Sequence, residues 1–434
     1  MKILPLAAAS RLSTTDRLSI HGQHKKRRAS KFLGSAFLLL ASVSSIVFSQ
    51  TSPQTAEDSL GANSLLSRTV IGGYGSASYS NDVNARSATM NLDRVVLFIG
   101  HSFGEISFFS ELEVEDAKVS GGEDGGEVAF EQAYLKFDID QHHYFAAGLF
   151  LPRIGILNEN HLPNDFNGTE RNQVETYILP STWRELGVGF YGDLSPLPFS
   201  YSMAIVNGLN SASFEHGTGI REGRFEGRSA TANNLAFNGS AQFDSGNLKA
   251  QVSGYYGGSV GLPPRQADGL QLASGMFGTP VIIGEVDVQF EQDGLSLKTL
   301  GAVVSIPDAF QINRAYGNNT PKGEYGVYGE IAYDLFHQTS GSNRRKLVAF
   351  IRYESLDLNA SIPDNGTMDE TLRQHHTILG LSYQPMGNVV IKGDARFTRV
   401  GAQNPALTSN PEEPDSNTFK HNSVFINFGL GYSF

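Results

Sequence analysis

From Val70 onward the chain is a series of short runs in which apolar and polar residues alternate. Breaks rich in Gly, Asn, Asp and Ser separate them. Alternation with period two puts successive side chains on opposite faces of a strand. Sixteen runs can be delimited: 70–79, 89–101, 104–115, 127–138, 142–150, 183–193, 198–207, 234–244, 247–257, 282–291, 294–304, 323–335, 345–356, 372–383, 387–398 and 422–434. The breaks alternate as well. Short ones fall at 102–103, 139–141, 194–197, 245–246, 292–293 and 384–386, with a longer turn-rich one at 336–344. Long polar ones fall at 116–126, 151–182, 208–233, 258–281, 305–322, 357–371 and 399–421. Strands of about nine to eleven residues cross a hydrocarbon layer when tilted. The pattern predicts an all-β fold: a transmembrane antiparallel β-barrel of about 16 strands, with long extracellular loops and short periplasmic turns. No fixed repeat of about 20–50 residues is visible, which disfavours a solenoid.

The last run shows the alternation most cleanly. Val424, Ile426, Phe428, Leu430, Tyr432 and Phe434 take every second position, and Ser423, Asn427, Gly429, Gly431 and Ser433 fill most of the others. The apolar row is expected to face lipid, on a strand that closes the barrel against 70–79. The terminal Tyr432 and Phe434 resemble the assembly signal of outer-membrane proteins, which names the barrel-assembly machinery as a partner. Ile106, Phe108, Leu112 and Val114 likewise alternate with Glu105, Ser107, Glu111, Glu113 and Glu115.

If the apolar rows face lipid, their neighbours face the lumen. That assigns Glu111, Glu113, Glu285, Asp287, Gln289, Glu291, Glu324, Glu330 and Asp334 inward, with Arg352 beside Glu354, and Lys392, Asp394 and Arg396 on another strand. Charges on a lipid face are costly, about 2–4 kcal/mol at midplane for Lys or Arg. These side chains therefore predict a hydrated, mixed lumen with an acidic lean.

Composition narrows the class. The 434 residues include no Cys, which excludes a disulfide scaffold and thiolate metal sites. Lys25, Lys26, Arg27, Arg28 and Lys31 precede the apolar run 37–48 and a small-residue neighbourhood at Ser49–Gln50, the order of a secretory signal. Residues 1–49 read as that signal with an extended basic region, 50–69 as a periplasmic lead-in, and 70–434 as the barrel. The signal holds eight Lys/Arg and one acid, so its removal takes the net charge from −11 to −18. Such a balance argues against nucleic acid as a partner.

The connection 151–182 is the longest, and it carries Ile, Leu, Phe and Tyr. Apolar residues on a long loop need a place to pack, and the barrel interior supplies one. Folding inward would narrow the passage and bring Arg153, Glu159, His161, Asp165, Glu170, Arg171 and Glu175 near it. Rings of charge at a constriction set solute preference. The close His pairs, His142–His143 and His375–His376, are adjacent on strands and so face opposite ways, and no Gly-x-Ser-x-Gly elbow is present. No catalytic, cofactor or metal site is expected. The expected role is passive diffusion of small hydrophilic solutes or ions, in contact with outer-membrane lipid. The alternatives are a non-conducting barrel that displays its loops, or a barrel hydrolase.

The segments FFSELEVEDA (108–117), EVAFEQAYLKFD (127–138), NENHLPNDFNGTERNQVET (158–176) and LPSTWRELGVGFYG (179–192) resemble the phosphate-selective porin O and P family. The likeness is strongest over 70–210. It implies a sixteen-stranded homotrimeric barrel in the bacterial outer membrane, each lumen conducting and its third loop folded inside. Anion-selective members carry Arg and Lys down the channel. The inward positions assigned above are mainly acidic, so cation preference is expected rather than phosphate selectivity.

Overall fold

A computed structural model of the chain describes residues 68–117, 126–337, 345–404, 407 and 420–434. The expected signal, and the lead-in up to residue 67, lie outside the described residues. The strands are β1 (Thr69–Asp82), β2 (Ser87–Ser102), β3 (Ile106–Glu115), β4 (Val128–Asp138), β5 (His143–Phe150), β6 (Glu185–Asp193), β7 (Phe199–Asn207) and β8 (Leu235–Asp244). They continue with β9 (Leu248–Gly258), β10 (Pro280–Gln292), β11 (Leu295–Ser305), β12 (Gly323–Asp334), β13 (Lys346–Ser361), β14 (Arg373–Met386), β15 (Val389–Val400) and β16 (Asn422–Ser433). Each pairs antiparallel with its chain neighbours, and β1 pairs with β16, so the sheet closes. Among the described residues two short α-helices, α1 (Pro264–Gly269) and α2 (Ala309–Tyr316), lie in the loops.

Every expected strand is present. The largest difference is β13, which continues to Ser361 instead of stopping near 356, because Leu356 and Leu358 extend its inward row into an apolar core. Closure leaves no sheet edge, so the wall satisfies its own backbone groups. Outside, Val286, Val303, Ile331, Ile351, Leu379, Ile391, Phe428 and Leu430 are exposed. Their neighbours Glu285, Asp287, Glu330, Arg352, Lys392, Asp394 and Asn427 are buried in the interior. An exposed apolar belt of this extent around a closed barrel is a lipid-facing surface. The barrel crosses a membrane.

The seam depends on glycine. The register joins Tyr74 to Ser433 and Asp82 to Phe425, and the amides and carbonyls of Gly73 and Phe434 exchange hydrogen bonds of 3.0 and 2.8 Å. A Cβ on Gly73 would lie 2.5 Å from the Val96 carbonyl and 2.9 Å from the Phe434 ring. Only glycine admits the terminal aromatic there.

The interior departs from the hydrated expectation. At the loop end of β7–β13 an apolar cluster fills the space, with Val206, Ala236, Tyr255, Val281, Ile283, Leu300, Val304, Tyr328, Leu356 and Leu358 pointing inward. Runs such as Val281-Ile282-Ile283 and Ile205-Val206 carry the trace of this, being apolar on both faces at once. Lipid covers one face and loop residues cover the other.

Candidate pore constriction

The connection between β5 and β6, residues 151–184, is the third on the loop side after β1–β2 and β3–β4, and it enters the barrel. Ile154, Ile156, Leu157, Val174, Ile178, Leu179 and Trp183 are each no more than 4 % exposed. Most of them join the apolar cluster of β7–β13. Burying one such side chain contributes about 1.5–3 kcal/mol, opposed by the entropy of ordering the loop. That burial decides which way the loop turns: its apolar face goes to the β7–β13 wall, leaving its polar face toward β13–β16 and β2–β4.

Internal hydrogen bonds set the loop's shape. The Glu175 carboxylate accepts from the amides of Ile156 (2.7 Å) and Leu157 (2.6 Å), from Asn172 Nδ2 (2.8 Å) and from the Tyr328 hydroxyl (3.0 Å). Burial pushes this carboxyl up, and the four donors oppose that shift. Asn158 ties the two ends of the loop together, donating to the Pro152 and Trp183 carbonyls and accepting from the Trp183 amide.

The wall holds the loop's polar face by charge. Arg352 donates to the Asn167 carbonyl (3.0 Å) and pairs with Glu354 (2.7 Å) and Glu330 (3.3 Å). Glu330 accepts from Asn167, Glu354 from the Gln173 amide, and Asp394 from the Thr169 amide. Lys392 donates to the Phe166 carbonyl and lies 3.7 Å from the centre of the Phe166 ring. Arg396 pairs with Glu170.

Voids follow the polar face among the described residues. At the turn end is a cavity of about 540 Å³, lined by Asp165, Asn167, Glu291, Lys298, Asp334 and Lys346 among others. At mid-height is a gap of about 10 Å³ bounded by Glu170, Arg171, Gln173, Arg352, Glu354, Ile378, Asp394 and Arg396. At the loop end is a cavity of about 250 Å³ between Arg94, Arg171, Arg184, Arg221 and Arg224 and the acids Glu115, Glu127, Glu222 and Glu226. The gap has room for about one water.

Glu170, Arg171, Arg352 and Arg396 therefore border the same mid-height gap, and Asp165 lines the turn-end cavity. Arg153 pairs with Glu159 at 2.9 Å and lies near the Tyr191 ring. His161 is buried against the β3–β4 wall. Two candidates lie elsewhere than expected. Glu175 is sealed in the loop's own core, and Glu285 lies beneath the loop, accepting from Ser253 and the Gly155 amide. Glu111 and Glu113 are buried at the β2–β4 wall, where Glu113 pairs with Arg94. Asp287 is also buried, accepting from Gln289.

The acidic lean assigned from strand registers does not reach the gap, where three guanidinium groups face three carboxylates. The reason is that loop anchoring pairs the wall's charges. The basic side chains at the loop end, Arg184, Arg221 and Arg224, escaped the strand-based reading. For Arg221 and Arg224 the signal is the run Arg221-Glu-Gly-Arg-Phe-Glu-Gly-Arg228 within the long polar connection 208–233. Burial lowers Arg224 to about 10, and its guanidinium pairs with Glu226 and donates to the Pro180 and Thr182 carbonyls.

An uncharacterized protein of Aquifex aeolicus (strain VF5) is 31% identical to the chain over 338 residues, which are 75% of this chain and 74% of that protein. The chain belongs to the same family as that protein. No family model matches it. Among solved structures, Salmonella typhi OmpF in complex with daunomycin is similar with a TM-score of 0.52 and 10% identity, over 84% of this chain and 97% of that one. At that identity the likeness bears on the fold, which is that of a sixteen-stranded barrel. The outer membrane channel DcaP of Acinetobacter baumannii is a weaker match, with a TM-score of 0.48 at 12% identity over 84% of this chain and 97% of that one.

Proposed function

We propose that the protein is a bacterial outer-membrane porin, passing small hydrophilic solutes or ions passively along the polar side of its third loop. The observation that carries this reading is the row of polar voids of about 540, 10 and 250 Å³ inside a barrel whose outer face is apolar. With arginines and acids balanced at the gap, we expect small conductance steps and weak ion selectivity, in place of the cation preference expected from the strands. The motifs at 108–192 support a place near the phosphate-selective porin O and P group, while the charge-balanced gap argues against phosphate selectivity. The homotrimer implied by the same motifs is part of this reading, and chemical cross-linking of the detergent-extracted protein tests it.

Planar-bilayer recording of folded, purified protein tests the main claim. Stepwise conductance is expected, growing when 158–175 is deleted. Silence in both forms would refute it. A second reading has a specific observation in its favour: the apolar cluster occupies much of the loop-end lumen, as suits a closed barrel that presents surface loops. Continued silence after the deletion would point there.

A further inference from the structure

Opposite the apolar cluster, the third loop meets the wall at three buried side chains: Glu111 on β3, Glu131 on β4 and His161 on the loop. One ligand atom from each lies within 4.8 Å of the other two. We propose that these residues form a binding site for one divalent cation of the zinc class, which clips the loop to the barrel wall.

Local structure builds the site. Along the β3–β4 ladder Glu111 is opposite Gln132 and Leu112 is opposite Phe130, so Glu131 is the extra residue of a β-bulge. The bulge lets Glu131 and Gln132 both point inward. Gln132 donates to Glu111 at 2.6 Å, and the Tyr74 hydroxyl donates to Glu131 Oε2 at 2.8 Å. On the loop, His161 Nδ1 is 3.1 Å from the Asn158 carbonyl. A carbonyl only accepts, so Nδ1 is the donor there and Nε2 is the ring atom left for a ligand. That atom lies 3.6 Å from Glu131 Oε2.

Two atoms of the cluster have no hydrogen-bond partner among the described residues. His161 Nε2 and Glu131 Oε1 are buried without a hydrogen bond, in side chains 3 % and 0 % exposed. Leaving such groups unsatisfied opposes folding, and a bound cation would relieve both. An imidazole oriented by a backbone carbonyl, beside carboxylates that themselves accept hydrogen bonds, is the arrangement of a supported metal ligand set. Charge points the same way. The carboxylates of Glu111, Glu113 and Glu131 outnumber the guanidinium groups of Arg94, which pairs with Glu113, and Arg171, which donates to the His161 carbonyl. A dication reverses that excess. The imidazole selects a first-row transition ion over calcium or magnesium, which favour all-oxygen shells. Bonds of about 2.0–2.2 Å require the three groups to draw together by about an ångström, within reach of side-chain rotation.

The test uses the full chain, folded in detergent, stripped with a chelator and titrated with Zn²⁺ by calorimetry. Binding of a single Zn²⁺ per chain with micromolar or tighter affinity is expected, together with a raised melting temperature. His161→Ala and Glu131→Gln should each weaken binding at least about 10–100-fold and abolish the thermal shift. Glu111→Gln guards against a folding defect, because it keeps the His161–Glu131 contact. It too should weaken binding, with folding checked by the mobility difference between heated and unheated samples. No binding at submillimolar Zn²⁺ would overturn the proposal. Unchanged affinity in the folded variants would overturn it equally.

Discussion

The third loop has two neighbours of opposite character. Toward β7–β13 it presents Ile156, Val174, Ile178 and Trp183 to an apolar wall; toward β13–β15 it presents backbone amides and carbonyls to Arg352, Glu354, Lys392 and Asp394. Both walls come from strands with the same outward apolar rows. The difference lies only in what the inward positions carry, and it separates two tasks. Burial holds the loop, because apolar contact is strong and tolerant of direction. Charged hydrogen bonds set its register, because they are directional and expensive to leave unmade. The polar side is also where space remains.

Trp183→Ala strikes the apolar side hardest. It empties a fully buried site that also donates from Nε1 to Glu185 at 3.0 Å, and a loss of about 3–5 kcal/mol is expected. Chemical denaturation of the folded barrel reads it, and an unchanged midpoint would show that the loop is not held by this core. On the polar side Arg352→Ala strands Glu330 and Glu354 without their cation, and a comparable cost of about 3–5 kcal/mol applies to breaking a buried pair. If Arg352→Met restores stability without restoring the gap's ion preference, the guanidinium serves the passage more than the fold.

Glu170→Ala sharpens the contrast from the other direction. Its side chain is 43 % exposed, so the pair with Arg396 should change stability by only about 0–1 kcal/mol. Single-channel conductance should nonetheless rise, and the reversal potential should shift toward anions, because a carboxylate leaves a gap that holds three arginines. Unchanged conductance would place the narrowest point elsewhere.

The smallest effect is expected in the loops at the loop end of the barrel. Burial opposes ionisation of Asp369, but hydrogen bonds from Thr371 and His216 outweigh it and hold its carboxyl below the usual range. A depressed carboxyl contributes stability that is present above the ordinary carboxylate pKa, about 3.9, and is lost as pH falls through the folded value. Asp369→Asn should therefore remove a small acid-side step from the stability profile. A profile identical to that of the unsubstituted protein would deny the contact any role.

Much of this was legible in the chain. Period-two alternation and the spacing of breaks located sixteen strands, because a wall between lipid and lumen forces successive residues into different solvents. The same logic placed Glu285, Asp287, Glu330, Arg352 and Lys392 inside, and the apolar content of 151–182 sent that loop inward. What alternation could not say is what an inward residue meets. Glu175 and Glu285 have the sequence character of pore-lining acids but are spent on loop amides and a serine hydroxyl, whereas Glu170 reaches the gap. Val281, Ile283 and Val304 face inward as firmly as any acid, yet they meet the loop and not water. The bulge at Glu131 breaks the period locally, so no count along β4 could bring that carboxylate beside His161. Solvent contrast across the wall is local to each strand and leaves its mark in sequence. Pairing between a loop and strands more than two hundred residues away, as between Phe166 and Lys392, depends on closure of the whole barrel and was settled only there.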